Sequence, residues 1–78
     1  MTTNWRELIP GKLYKVRGSG ERNDVGLYKD RVGFIGAIKN NTIIFLLGYH
    51  RDDSTVKVLV GEEICVIYNI HYKEFIEI

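Results

Sequence analysis

Residues 32–49 constrain the fold of this chain more than any other segment. Two runs rich in β-branched and aromatic residues flank the pair Asn40-Asn41. Asparagine tolerates the positive φ that a type I′ turn requires at both central positions, so the segment predicts a β-hairpin in which Lys39 pairs with Thr42. Counting outward from that pair predicts the register of both strands.

This register places apolar side chains on both faces of the predicted hairpin. Because side chains alternate across a strand, we expect one face to build the core with Phe34, Ile38, Ile43, Phe45 and Leu47. The opposite face carries Ile35, Ala37, Ile44 and Leu46. An antiparallel sheet ordinarily keeps one face solvated, so the second apolar face predicts a contact with the N-terminal turn, with the C-terminal strand or with another chain.

Other segments predict further strands. A strand over residues 12–17 should point Tyr14 and Val16 inward, and a strand over 55–60 should place its three valines on one side. For the strand over 63–68 we expect an inward face of Ile64, Val66 and Tyr68 and an outward face of Cys65 and Ile67. In residues 70–78 the alternation of Ile70, Tyr72, Ile76 and Ile78 favours a closing strand, with a helical turn near 71–74 as the alternative.

These elements predict an all-β fold in a single domain covering residues 1–78. Residues 1–10 should contain a short helical turn, since Asn4 is a good N-cap and Trp5, Leu8 and Ile9 have helical spacing. Residues 12–78 should form a small SH3-like barrel of five or six antiparallel strands. Gly36, which the register sets opposite Phe45, would allow the curvature that such a barrel needs.

About half of the chain resembles a known family. Pro10-Gly11-Lys-Leu-Tyr-Lys-Val16, a glycine-containing loop, Gly33-Phe-Ile-Gly36-Ala-Ile38 and a further apolar strand follow one another. This order resembles the opening of SH3-like barrels, and the KOW pattern in particular, over roughly residues 10–47. The resemblance implies a small barrel that binds RNA or protein.

Two groups of residues are candidates for a binding surface. A protein contact is expected at the second hairpin face, extended by one outward residue of a later strand: Ile35, Ala37, Ile44, Leu46 and Ile67. Nucleic-acid binding requires several cations on one face together with aromatic platforms. The candidates for that role are Lys12, Tyr14, Arg17, Arg22, Tyr28, Lys29 and Arg31.

The sequence offers little to catalysis or metal binding. His50, Cys65 and His71 lack the spacing of a zinc site, and no cofactor or small-molecule substrate is indicated. The single cysteine cannot form an internal disulfide. No apolar run reaches the roughly 18 residues that span a bilayer, and the first residues lack a signal-peptide core, so we expect a cytoplasmic protein.

Charge is distributed unevenly along the chain. Nine basic and four acidic residues precede position 52, whereas two basic and six acidic residues follow Arg51. Strands from the two parts could lie on opposite sides, giving a dipole, or interleave and cancel. The favoured hypothesis is a non-enzymatic protein-interaction or assembly module that forms homodimers; the alternative is a KOW-like or Sm-like barrel that binds RNA or DNA.

Overall fold

The computed structural model describes residues 2–21 and 23–78. These residues contain two 3-10 turns, Trp5–Glu7 and Ile70–Tyr72, and eight strands. The strands are β1 (Thr2–Thr3), β2 (Leu13–Gly18), β3 (Asp24–Lys29), β4 (Gly33–Lys39), β5 (Thr42–His50), β6 (Asp52–Val60), β7 (Glu63–Ile67) and β8 (Lys73–Glu77). No helix in these residues is long and apolar enough to cross a membrane.

All eight described strands are antiparallel and belong to one open sheet in the order β1-β8-β2-β5-β6-β7-β3-β4. The all-β prediction is confirmed, although the sheet has more than the five or six strands expected. The sheet wraps around a single core, to which the following residues contribute: Leu8, Tyr14, Val16, Val25, Leu27, Ile44, Leu46, Val56, Val58, Cys65, Ile67, Ile70 and Phe75. Alternation was a sound guide in β2 and β6, where Tyr14, Val16, Val56 and Val58 point inward.

The hairpin predicted around Asn40-Asn41 is wrong, because β4 and β5 do not pair. β4 pairs with β3, where Gly36 lies opposite Leu27 rather than Phe45, and β5 lies between β2 and β6. Of the two asparagines only Asn41 has a positive φ, 71°, whereas a type I′ turn needs two.

The asparagine pair instead forms a corner that is held by the first part of the chain. The Asn41 N–H donates to the carbonyl oxygen of Val16 at 2.9 Å, and the Asn40 N–H donates to that of Asn23 at 3.0 Å. The Gly18 N–H in turn donates to Oδ1 of Asn40 at 2.9 Å. These bonds direct the chain from β4, at one edge of the sheet, into β5 beside β2.

The expected inner and outer faces of β5 are exchanged. Ile44 and Leu46 are 1% and 0% exposed, whereas Ile43 and Leu47 are exposed. The cause is the neighbouring strands: Ile44 pairs with Tyr14 of β2 and Leu46 pairs with Val58 of β6. Directly paired residues share a face, and both partners belong to the core.

In the predicted strand 63–68 the faces are exchanged at four positions for the same reason, whereas Val66, expected to be inward, is buried. Cys65 pairs with Val58 and Ile67 with Val56, so both residues point into the core, and the outward orientation predicted for them is wrong. Ile64 and Tyr68, which we expected to point inward, are exposed.

The two ends of the chain close the core. Within the N-terminal turn, Oδ1 of Asn4 accepts a hydrogen bond from the Arg6 N–H at 2.9 Å, as expected of an N-cap. Leu8 is buried in the core. At the other end a helical turn and a strand, the two predicted alternatives, follow one another, because the turn Ile70–Tyr72 precedes β8. The turn shifts the alternation of the strand, so that Phe75 rather than Ile76 is buried.

Candidate functional site

The predicted protein-contact surface does not exist as one patch. Ile44, Leu46 and Ile67 are at most 1% exposed, so their placement on an outer surface is wrong. Ile35 and Ala37 are exposed, but they lie on β4 at the edge of the sheet. The prediction failed because it paired β4 with β5.

The predicted nucleic-acid cluster is dispersed. Tyr14 is fully buried, and its Oη accepts a hydrogen bond from the Ile9 N–H at 3.0 Å. Lys12 forms an ion pair of 3.0 Å with Glu77, and this hydrogen-bonded contact raises the pKa of Lys12. Lys29 forms an ion pair of 3.1 Å with Glu63.

The other four members of that cluster are separated as well. Arg17 is exposed on β2, and Arg31 is exposed in the turn after β3. Tyr28 packs among other aromatic rings, and Arg22 lies outside the described residues. The structure therefore does not bring the described cations and rings of this set to one face.

The residues with chemically reactive side chains have separate surroundings. His50 Nε2 lies 2.8 Å from Oδ2 of Asp30, and the ring of His71 packs at a tilt against the rings of Tyr72 and Trp5. Cys65 is buried, which raises the pKa of its thiol. The described residues contain no cluster of three histidine, cysteine or carboxylate side chains that could hold a metal ion.

A row of apolar residues crosses the outer face of the sheet. Leu13 of β2 pairs with Phe45 of β5, Phe45 with Leu59 of β6, and Leu59 with Ile64 of β7. Each is the neighbour of a core residue on its own strand, so alternation directs all four outward. We call these four residues the outer row.

The outer row is exposed and has an ion pair at each end. Leu13 is 47% and Ile64 55% exposed, while Phe45 and Leu59 between them are half-buried. The Lys12–Glu77 pair adjoins Leu13, and the Lys29–Glu63 pair shares with Ile64 a surface depression of about 480 Å³. Two further exposed aliphatic residues flank the row: Ile43 and Ile78.

A second surface, which we call the aromatic groove, lies on the β3–β4 hairpin. Tyr28, Phe34 and Tyr68 form its walls, with ring centroids 5.5 Å apart for Tyr28 and Phe34 and 4.9 Å apart for Tyr28 and Tyr68. The small residues Gly26 and Ala37, which pair with each other, form its floor. The groove has a volume of about 230 Å³.

A β-bulge builds this groove. Tyr28 pairs with Phe34, and Leu27 with Gly36, so Ile35 is an extra residue on β4. The extra residue brings Phe34 and Ala37, which are three positions apart, onto the same face. A Cβ at Gly26 would make ordinary van der Waals contact with both rings, 3.4 Å from Cε1 of Tyr28 and 3.5 Å from Cε1 of Phe34, so the glycine leaves this part of the floor open.

Sequence analysis missed both surfaces. Leu59 carried a usable signal, since it alternates with the inward valines of β6 and therefore had to face outward beside Lys57. The outer row as a whole depends on the pairing of four strands, which no local pattern specifies. Comparison of the chain with protein families, curated proteins and solved structures finds no match.

Proposed function

We propose that this chain is a small SH3-like barrel that acts as a non-enzymatic assembly module and associates with itself through the outer row. The strand order β8-β2-β5-β6-β7 and the 3-10 turn before the last strand support the SH3-like assignment. The observation that carries the functional proposal is the outer row, a continuous apolar stripe on a face that the rest of the described chain leaves exposed.

The size of the apolar surface suits a small interface. The outer row with Ile43 and Ile78 exposes on the order of 400–500 Å² of apolar surface, the range in which the largest patch of a monomer is often functional. Two copies in contact would bury about 900 Å², near the lower limit of about 1,000 Å² for a specific interface.

The ends of the row make a second copy a suitable partner. Each end includes an ion pair, Lys12 with Glu77 and Lys29 with Glu63, and the second end also carries Asp30, Lys57 and Glu62. When two copies meet in opposite directions across a two-fold axis, each end faces the other end of its partner. Lys12 of one copy can then lie beside Glu63 of the second and Lys29 beside Glu77, so that these ion pairs add no net repulsion to a symmetric dimer.

Sedimentation velocity at protein concentrations of about 10–200 µM tests this proposal. The double variant Leu13→Lys/Ile64→Lys puts four like charges into a two-fold contact, and we expect it to sediment as a smaller species than the wild type. Both positions are half exposed, so the variant should keep its fold, which circular dichroism checks.

The matched control is Ile9→Lys/Tyr72→Lys, which adds the same charge at exposed apolar positions outside the row. We expect this control to sediment like the wild type. A wild type that is monomeric at the highest concentration, or a row variant that is as large as the wild type, would refute self-association through the outer row.

A further inference from the structure

β4 has an open edge. Within the described residues its only hydrogen-bonded neighbour in the sheet is β3, and it is seven residues long. An unpaired edge of this length presents main-chain donors and acceptors to any strand that can reach them. The only charged residue of β4 is Lys39, at its last position, so the bulge at Ile35, and not charge, is the feature of β4 that opposes pairing at this edge.

The edge also carries an exposed ring beside a small-residue floor. Phe34 is 63% exposed, and the edge-to-face contact of its ring with Tyr28 leaves much of this large apolar side chain uncovered. Ala37 lies on the same face, paired with Gly26, in the floor of the aromatic groove, whose lining also includes Asp24, Asn69 and Lys73. One strand therefore supplies both a projecting group and a recess.

These features determine how a second β4 could pair antiparallel with the first. Residues on the same face must lie opposite each other, which sets Phe34 of one copy against Ala37 of the other and the reverse. The same register places Gly33 opposite Ile38, and Lys39 opposite Val32 rather than opposite another cation. Each Phe34 ring would then lie over the Ala37 floor of the partner copy.

We propose that β4 pairs with β4 of a second copy across a two-fold axis, joining the two sheets and filling each aromatic groove with the partner's Phe34. This contact extends the proposed function with a second surface. Main-chain hydrogen bonds and burial of the Phe34 ring hold this contact independently of the outer row. Two different two-fold contacts on one protomer connect more than two copies, so the assembly does not stop at a dimer.

The variant Phe34→Lys tests the contact, with Tyr72→Lys as a control of nearly equal exposure, 61%. Sedimentation of the wild type at rising concentration should show species larger than a dimer. Phe34→Lys should stop at the dimer held by the outer row, and Tyr72→Lys should behave as the wild type. The row variant Leu13→Lys/Ile64→Lys should retain a dimer held by β4.

Cysteine cross-linking tests the register itself. Val32→Cys and Lys39→Cys place thiols that the proposed pairing brings together between copies, while the native Cys65 is buried and cannot reach a second chain. A mixture of the two variants should cross-link under mild oxidation at least tenfold more than either variant alone.

The outcomes separate the two proposals. If Phe34→Lys sediments as the wild type and the cysteine mixture cross-links no more than its components, the β4 contact is refuted while the outer row stands. If the row variant sediments as the wild type but Phe34→Lys is monomeric, self-association through the outer row is refuted while the β4 contact stands. A wild type that is monomeric throughout refutes both.

Discussion

Asp30 lies at the tip of the β3–β4 hairpin and contacts the side chains of His50, the last residue of β5, and of Arg51, which follows it. His50 Nε2 lies 2.8 Å and 3.1 Å from its two carboxylate oxygens, and Nη2 of Arg51 lies 3.6 Å from Oδ1. The hydrogen bond from His50 lowers the pKa of Asp30, with smaller contributions from the charges of His50 and Arg51. This contact ties the hairpin that carries the aromatic groove to the rest of the sheet.

Because the pKa of Asp30 is lower in the folded than in the unfolded protein, the carboxylate stabilises the fold above its unfolded pKa. That contribution disappears as pH falls below about 4. We expect Asp30→Asn to lower Tm at pH 7 by no more than about 5 °C and to have a smaller effect at pH 3. Thermal unfolding at both pH values measures this.

The control for this prediction is Asp53→Asn, which removes the same charge from an exposed position in the neighbouring hairpin. Asp52, whose pKa is lowered chiefly by hydrogen bonds from Ser54, is present in all three proteins. A Tm difference between Asp30→Asn and the wild type that is the same at pH 3 and pH 7 would contradict this role of the Asp30 carboxylate.

Asn40 fixes the corner between β4 and β5 with its side chain as well as its main chain. Asn40→Ala removes the acceptor of the Gly18 N–H, and we expect a loss of about 1–2 kcal/mol in the free energy of unfolding. Asn40→Asp keeps an oxygen at Oδ1 and should lose clearly less. Urea denaturation compares the two, and equal losses would show that the hydrogen bond to Gly18 contributes nothing.

At the scale of elements, local patterns located the strands better than they paired them. The two runs around Asn40-Asn41 are strands, as predicted, and the alternation in β2 identified Tyr14 and Val16 as core residues. The turn chemistry was misleading, because Asn41 in a left-handed conformation suits a corner as well as a hairpin. Because the predicted pairing of β5 with β4 was wrong, alternation assigned the two faces of β5 in reverse.

The candidate surfaces were unpredictable for a related reason. A bulge at Ile35 moves Phe34 onto the face of Ala37, and sequence alternation alone places these two residues on opposite faces. The outer row needs the relative register of β2, β5, β6 and β7, which tertiary packing determines. Only single members, such as Leu59, could be assigned to the outside from their own strand.

At the scale of the whole molecule, the basic and acidic parts of the sequence interleave. β8, from the acidic part, lies beside β2, and β6 and β7 lie between β5 and β3. The ion pairs Lys12–Glu77 and Lys29–Glu63 each join a cation of the first part to a carboxylate of the second. The two opposite net charges along the chain therefore largely cancel in space instead of producing a dipole.

This arrangement predicts weak binding to nucleic acid, because affinity for single strands requires several cations on one face. We expect fluorescence anisotropy with a labelled oligouridine to show no saturable binding at about 150 mM salt. Any binding at low salt should involve about one or two phosphate contacts. The logarithm of the binding constant should then fall only slightly as the logarithm of the salt concentration rises. A dissociation constant in the micromolar range at 150 mM salt, about tenfold weakened in Lys12→Gln/Lys29→Gln, would contradict the prediction. That result would mean that RNA or DNA can displace Glu77 and Glu63 from these lysines, and it would favour a nucleic-acid-binding barrel over an assembly module.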